Sequence, residues 1–253
     1  IRNVAIIAHV DHGKTTLVDQ MLKTAKVFSD HQEVEERVMD RHDLERERGI
    51  TIFSKNCSLN WKGVRVNLID TPGHADFGGE VERVLRMADA ALILACAHEG
   101  PMPQTRFVLR KAMMHDLKLI IVVNKVDRRD GRPIEARDEV LELLIDMEAS
   151  EDVLDTPVIF ASARDGLAAL NMEEFADATS IECLLDAIVS HVEPPKADLG
   201  KPFRMAISQV DYDPYLGRIA IGKVDQGKLN AGQRALRCIW DGPEESSEIK
   251  KVY

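Results

Sequence analysis

Lys14, Thr15, Asp70, Asn124 and Asp127 are residues whose types and spacing suit phosphate, divalent-metal and purine chemistry. The densest group is Ala8-His9-Val10-Asp11-His12-Gly13-Lys14-Thr15-Thr16, which follows a short apolar run and precedes a stretch of helical period. A loop in that position can wrap a phosphate in backbone N–H groups, aided by the positive end of the helix that follows. Lys14 would reach the β/γ oxygens of a nucleotide, and the Thr15 hydroxyl would bind Mg²⁺. The phosphate-loop pattern GxxxxGK followed by Ser or Thr is met except at its first position, where Ala8 replaces Gly. On the loop alone, a chance Gly-Lys-Thr at a strand-to-helix turn stays open.

Three further groups sit at the ends of later apolar runs. Asp70-Thr71-Pro72-Gly73-His74 follows residues 64–69, so Asp70 stands where a carboxylate can hold Mg²⁺ through a water and the Gly73 amide can meet a γ-phosphate. Asn124-Lys125-Val126-Asp127 follows residues 119–123. Asp127 can accept two hydrogen bonds from the N1–H and N2–H₂ edge of guanine. Adenine has no such donor pair, so a buried carboxylate there would be left unpaired. Lys125 would lay its stem along the base, and Asn124 would tie this loop to the phosphate loop. Ser162-Ala163 follows the next apolar run and offers a backbone N–H to guanine O6; the pair carries weight only through its place in that order. Successive strand ends are where ligands bind in open α/β sheets. Together the four groups predict a GTP-binding domain.

The elements that must hold these groups are legible in the hydrophobic pattern. Residues 4–8, 64–69, 91–97, 119–123 and 157–161 are short, nearly unbroken apolar runs, as strands covered on both faces require. Between them, Val18/Met21/Leu22/Ala25, Val81/Val84/Leu85/Ala88, Val140/Leu143/Leu144/Met147 and Ile181/Leu184/Leu185/Ile188 have the spacing of helices lying on a sheet. The alternation predicts an α/β P-loop NTPase fold with a mostly parallel sheet. Residues 52–61 meet 64–70 across Lys62-Gly63, which predicts a hairpin and one antiparallel edge strand. The expected division is a GTP-binding domain at 1–193, a linker at 194–201 opened by Pro194-Pro195, and the start of a β-barrel at 202–253.

Residues 30–48 are crowded with charge and end in Arg48-Gly49-Ile50-Thr51-Ile52. Most of these charges suit a solvated loop, but Thr51 is placed to lend a second hydroxyl to Mg²⁺. Loops of this kind order around a γ-phosphate and release after hydrolysis. Residues 30–48 with Thr51 are therefore expected to form switch I, and residues 73–82 switch II.

The motifs AHVDHGKTT, RGITI, DTPGHADF and NKVD together resemble the translational GTPases, the family of elongation factors G and Tu. Residues 74–84 and 100–105 resemble most its ribosome-associated BipA (TypA) subfamily, and residues 207–224 resemble the start of that subfamily's β-barrel domain. One departure is Cys96, where relatives usually carry Asp. The resemblance implies that His74 positions the attacking water, and that Val10 and Ile50 form an apolar gate holding His74 aside. It also implies that Asp11 holds a monovalent cation. His9 and His12 are expected to support the loop rather than to act as acids or bases. The implied partners are GTP/GDP, Mg²⁺ and the ribosome, with rRNA and ribosomal-protein contacts mainly through further domains, in a cytoplasmic monomer that binds no membrane.

Composition narrows the alternatives. The 253 residues are 45% hydrophobic and 30% charged, an ordinary globular balance. No apolar run approaches the roughly 18 residues that cross a bilayer. Four scattered cysteines without a CxxC pair fit a reducing compartment and argue against a disulfide scaffold or zinc site. The formal charge of −10 disfavours a dedicated nucleic-acid binder, though Arg128-Arg129 with Arg132 is a candidate local RNA contact. A chain opening on Ile1 and stopping inside an all-β region reads as a fragment, with a removed targeting leader as an open alternative. Two functional alternatives also stay open: another translational GTPase such as LepA or an elongation factor G relative, and a non-hydrolysing GTP-dependent switch.

Overall fold

Strands without polar alternation can be stable only where both faces are covered, and such strands form the centre of the larger of two units. The computed structural model describes residues 1–27, 55–71 and 78–253. The chain divides into Ile1–Pro195 and Lys196–Tyr253. In the first unit the strands are β1 (Arg2–Ala8), β2 (Lys55–Trp61), β3 (Val64–Asp70), β4 (Ala90–Cys96), β5 (Lys118–Asn124), β6 (Val158–Ser162) and β7 (Leu167–Ala169). They form one seven-stranded sheet in the order β2-β3-β1-β4-β5-β6-β7. The five inner strands run parallel, and β4, the most enclosed, buries every residue.

The helices are α1 (Lys14–Thr24), α2 (Gly78–Met87), α3 (Pro103–Met114), α4 (Pro133–Asp146), the short α5 (Glu151–Leu154) and α6 (Glu182–His191). Leu17, Val18, Met21 and Leu22 of α1 join Leu184, Leu185 and Ile188 of α6 in one core with alternate residues of the sheet, among them Ile6, Leu92, Leu94, Ile120 and Val122. Each such side chain contributes about 1.5–3 kcal/mol on full burial, so this layer fixes where α1 starts. Parallel pairing then aligns the strand ends: Ile6 lies opposite Asp70, Ala8 opposite Leu94, Cys96 opposite Asn124, and Asn124 opposite Ala161. The four motif groups therefore leave one edge of the sheet.

The antiparallel edge strand predicted at Lys62-Gly63 is present as β2 paired to β3. Both turn residues have positive φ, 46° and 81°, as a two-residue hairpin with the strand twist demands. The hairpin is fastened to α6: Trp61 Nε1 donates to Asp186 Oδ1 at 2.8 Å, and Lys62 Nζ lies 2.6 Å from the same oxygen. Lys62 first, then Trp61, holds the Asp186 carboxyl below its ordinary pKa.

β7, α3, the four-residue α5 and one strand of the second unit depart from the sequence expectation. β7 adds a second antiparallel edge, against β6, but three residues are too few for a periodic signal. α3 was not predicted, because its buried stripe is Thr105, Val108, Leu109 and Ala112, half of it weakly apolar. In the second unit, β8 (Arg204–Asp213) and β9 (Gly217–Gln226) form a bulged hairpin, and β10 (Arg234–Arg237) pairs with β11 (Glu245–Glu248). The sequence Glu-Ser-Ser-Glu of β11 has no apolar residue to reveal it.

The fold sets the reactivity of the cysteines. Burial, reinforced by the charges of Asp70 and Asp19, pushes the Cys57 thiol up to about 12. At pH 8 its thiolate fraction is then on the order of one in ten thousand. Cys96 is buried, Cys183 is partly buried with a raised pKa, and Cys238 is exposed. Iodoacetamide at pH 8 should therefore alkylate Cys238 first, Cys57 far more slowly, and Cys96 only on unfolding. Peptide mass mapping against time checks this, and equal rates at Cys57 and Cys238 would contradict the packing of β2.

Candidate nucleotide and metal site

Between the end of β1 and the start of α1 the chain turns through two left-handed residues, Asp11 (φ 63°) and Gly13 (φ 90°). Left-handed residues in such a loop let successive N–H groups converge, which makes an anion-binding concavity. Gly13 caps α1, and its carbonyl accepts the Leu17 N–H at 2.9 Å. No acidic residue occupies the first turn of α1, so nothing there offsets the positive end of the helix. Lys14 is buried, with Nζ 2.7 Å from Asp70 Oδ1, and it also donates to the Thr71 carbonyl. Asp70, at the end of β3, is 1% exposed. Removing one partner of such a buried pair costs about 3–5 kcal/mol. Thr15 is half-buried beside Lys14, Thr16 is exposed, and Val10 is half-buried.

Asn124 joins three loops. Its Nδ2 donates to the His12 carbonyl at 2.8 Å, and its Oδ1 accepts the Ala163 N–H at 2.9 Å. The Ala163 amide thus has a bracing role in addition to any base contact. Lys125 follows in a left-handed conformation (φ 62°), and the Val126 N–H donates to the Ala161 carbonyl at 3.2 Å. Ser162 is buried and donates its hydroxyl to Asp165 at 2.7 Å. Asp127 projects from this loop and is exposed, unlike the buried carboxylate anticipated from sequence. Its selectivity would have to arise as a base covers it.

His12 is wholly buried. Its Nδ1 lies 3.3 Å from the Leu94 carbonyl, its Nε2 lies 3.2 Å from Glu99 Oε2, and the His9 ring meets it edge-on at 5.3 Å. Burial lowers its pKa, against the opposing pull of the Leu94 carbonyl and the Glu99 carboxylate. The ring packs the phosphate loop onto the end of β4.

Asp11, His12, Gly13, Lys14, Thr15, Thr16, Asp70, Asn124, Lys125, Val126, Asp127, Ser162 and Ala163 all lie at the ends of β1, β3, β5 and β6, in the loops that leave them or in the first turn of α1. Ile50, Thr51, Gly73 and His74 lie outside the described residues. A carboxylate and a hydroxyl beside a phosphate loop are hard oxygen donors of the kind Mg²⁺ takes when phosphates and waters complete its shell, so Asp70 and Thr15 fit that ion. Thr71 was not anticipated: its side chain is buried and donates to the Ile6 carbonyl at 2.8 Å, while its carbonyl holds Lys14. Its place directly after Asp70 was the available signal. Two of the three arginines in the basic cluster near Arg128 have acidic partners. Arg128 forms two hydrogen bonds with Asp130 at 2.8 and 2.7 Å, and Arg132 pairs with Glu139.

Gly13 is required twice over, by its left-handed φ and by space, since a Cβ there would lie 2.4 Å from Asn124 Nδ2. Backbone strain alone costs about 1–2 kcal/mol, and the clash adds the loss of the Asn124 bridge. Gly13→Ala should lower the thermal midpoint and abolish nucleotide binding. Fluorescent GDP titration beside thermal melting measures both, and a variant with normal melting and binding would refute this packing.

Comparisons with known proteins place this geometry. Residues 1–194 match the family described as the elongation factor Tu GTP binding domain. The chain is 54% identical over 253 residues to the large ribosomal subunit assembly factor BipA of Haemophilus influenzae and 48% identical to that of Bacillus subtilis. All of this chain is covered in each case, but it spans only 41% of the length of these relatives. Among solved structures, a bacterial selenocysteine-specific elongation factor, EF-Sec, aligns with 92% of this chain and 36% of its own, at TM-score 0.66 and 25% identity. Translation elongation factor SelB from Methanococcus maripaludis, solved with the GTP analogue GppNHp, aligns over 92% of this chain and 43% of its own, at TM-score 0.65 and 21% identity. With its strand-end loops, phosphate loop and NKVD group in one constellation, the chain belongs to the elongation factor Tu GTP-binding domain family.

Proposed function

We propose that this chain binds GTP and GDP with Mg²⁺, hydrolyses GTP to GDP and phosphate, and acts on the ribosome as part of a BipA-type translational GTPase. The observation that carries the proposal is the Asn124 side chain, which holds the phosphate loop at His12 and the Ala163 loop on either side of the Asp127 group. The similarity to proteins named large ribosomal subunit assembly factor BipA supports the ribosome as partner. In this reading residues 1–193 are the GTP-binding domain, 194–201 a linker, and 202–253 the start of a β-barrel. The protein works as a cytoplasmic monomer. No described helix is long and apolar enough to cross a membrane.

The roles follow from chemistry. Backbone N–H groups of residues 11–16 and the Lys14 ammonium bind phosphate oxygens, and the Gly73 amide meets the γ-phosphate. Thr15, Thr51 and Asp70 (through water) would hold Mg²⁺, which when bound neutralises developing phosphate charge. Asp127 accepts from the guanine edge, Lys125 lies along the base, and amides at Ser162 and Ala163 approach O6. Asp11 accommodates a monovalent cation. His74 orients the attacking water, with Val10 and Ile50 as the gate that delays it. No arginine finger is evident in the sequence, a device worth about 10³–10⁵ in rate where it exists, so turnover without ribosomes should be slow.

Two measurements test this reading. Asp127→Asn exchanges a charged acceptor pair for one acceptor and one donor, which suits xanthine better than guanine. GTP affinity should fall by at least about 2 kcal/mol, roughly thirtyfold, while XTP affinity rises. Titrating GTP, ATP and XTP against both proteins reads this, and unchanged GTP affinity would remove Asp127 from the base site. His74→Ala should leave the affinity for a non-hydrolysable GTP analogue within about twofold of wild type and lower ribosome-stimulated phosphate release by at least about 10²-fold. A joint loss of affinity and turnover would make His74 structural. A wild-type chain indifferent to ribosomes would leave only a guanine-nucleotide switch.

A further inference from the structure

α3 carries Arg106, Arg110 and Lys111 and no carboxylate at all, in a chain whose formal charge is −10. Its buried stripe turns Arg106 and Arg110, one turn apart, to solvent, with Phe107 (45% exposed) and Met114 (67% exposed) beside them. α2 packs alongside and adds exposed Arg83 and Arg86 to the same surface. The helices are joined through Glu82, which lies 3.2 Å from Lys111 Nζ and 3.2 Å from Arg86 Nη2. Lys111 in turn lies 6.0 Å from the centre of the Phe107 ring. Glu82 is thus shared between two cations, and Arg83, Arg106 and Arg110 have no carboxylate at ion-pair distance among the described residues. The contrast is with α4 and the loop before it, where Arg128, Arg132 and Arg137 each lie against an acidic neighbour.

We propose that the outward face of α2 and α3 is an RNA contact surface, with Arg83, Arg86, Arg106 and Arg110 on backbone phosphates and Phe107 as a stacking platform for an unpaired base. The inference rests on the ribosome-acting reading above and deepens it, by assigning an RNA contact to the nucleotide-binding unit itself. Several arginines around one exposed ring match what a single-stranded or looped polyanion requires: charge to follow the backbone and a π-face for a base. Cations outnumber apolar side chains here, which favours phosphate over an acidic amphipathic protein helix. The surface includes α2, which follows Asp70 in the chain, so an RNA bound there would lie beside an element leading directly from the candidate metal site.

The test is fluorescence anisotropy of the 253-residue chain with a labelled twelve-nucleotide oligouridine, from low to moderate KCl. Each phosphate contact contributes about −0.7 to the slope of log affinity against log salt for a single strand. The Arg106→Gln/Arg110→Gln variant should therefore flatten the slope by about 1.4 and weaken binding at low salt by roughly tenfold. Phe107→Ala should weaken binding about fivefold or more with the slope unchanged, because stacking is not electrostatic. Arg110→Gln alone should flatten the slope by about 0.7, whereas Arg137→Gln, the same loss of one charge on α4, should leave it as in wild type. The proposal is overturned if Arg110→Gln and Arg137→Gln behave alike. It is also overturned if the double variant keeps the wild-type slope, or if an acidic amphipathic helical peptide binds this face more tightly than the RNA. Ribosome-stimulated phosphate release separates the two claims. Stimulation with no variant effect on RNA binding rejects this surface alone, whereas a variant effect without stimulation rejects the ribosomal reading and leaves an RNA-binding face.

Discussion

The candidate site depends on one primary amide. β1 and β5 are not neighbours in the sheet, since β4 lies between them, so the phosphate loop and the Asn124 loop have no ladder hydrogen bonds in common. The Asn124 side chain spans that gap, donating to His12 on one side and accepting from Ala163 on the other. Only an amide offers a donor and an acceptor at that separation: Asp would lose the donor, Leu both. Either change strands a buried backbone group at a cost of about 1–3 kcal/mol. The need for glycine at position 13 follows from the same contact, because the amide fills the volume a Cβ would need. His12 completes the arrangement by seating the loop on the end of β4 through Leu94 and Glu99.

Electrostatics in the same pocket favour one kind of ligand. Lys14 and Asp70 form a close, buried pair, so each already has a counter-charge. An anion arriving alone would gain Lys14 and the helix end but would face the Asp70 carboxylate at short range. A divalent cation arriving alone would face the ammonium. In a poorly solvated site either mismatch is expensive, because unlike water the surroundings screen little. A metal–phosphate unit brings both signs together and gives each residue a partner.

What the sequence made legible was what depends on neighbours along the chain. Unbroken apolar runs announced the parallel strands, and the i, i+3, i+4 stripes announced α1, α2, α4 and α6. Gly-Lys-Thr, Asp70 and Asn-Lys-Val-Asp fell at strand ends because a parallel sheet with right-handed crossovers leaves them at one edge. α3 was hidden because Thr105 and Ala112 are small enough to pack closely without looking apolar, and β11 because pairing, not burial, makes it a strand. The bracing role of Ala163, the capture of Lys14 by the Thr71 carbonyl and the contact of Glu99 with His12 join residues far apart in sequence. No local pattern encodes them.

Charge shows the same limit from the other side. Arg128, Arg129 and Arg132 look like a basic cluster, yet Arg128 pairs with Asp130 inside the same stretch and helix α4 brings Glu139 against Arg132. Arg83 and Arg86 are separated from Arg106 and Arg110 by the whole of β4, and nothing in a local window joins them. Packing α2 against α3 does so, while confining Glu82 between Lys111 and Arg86. A net charge of −10 is an average over a surface, whereas a phosphate responds to the few charges within about a Debye length of it, roughly 8–10 Å at ordinary salt. The acidity of the whole chain and a cationic face on two of its helices are therefore compatible, and the balance between them is set by packing rather than by composition.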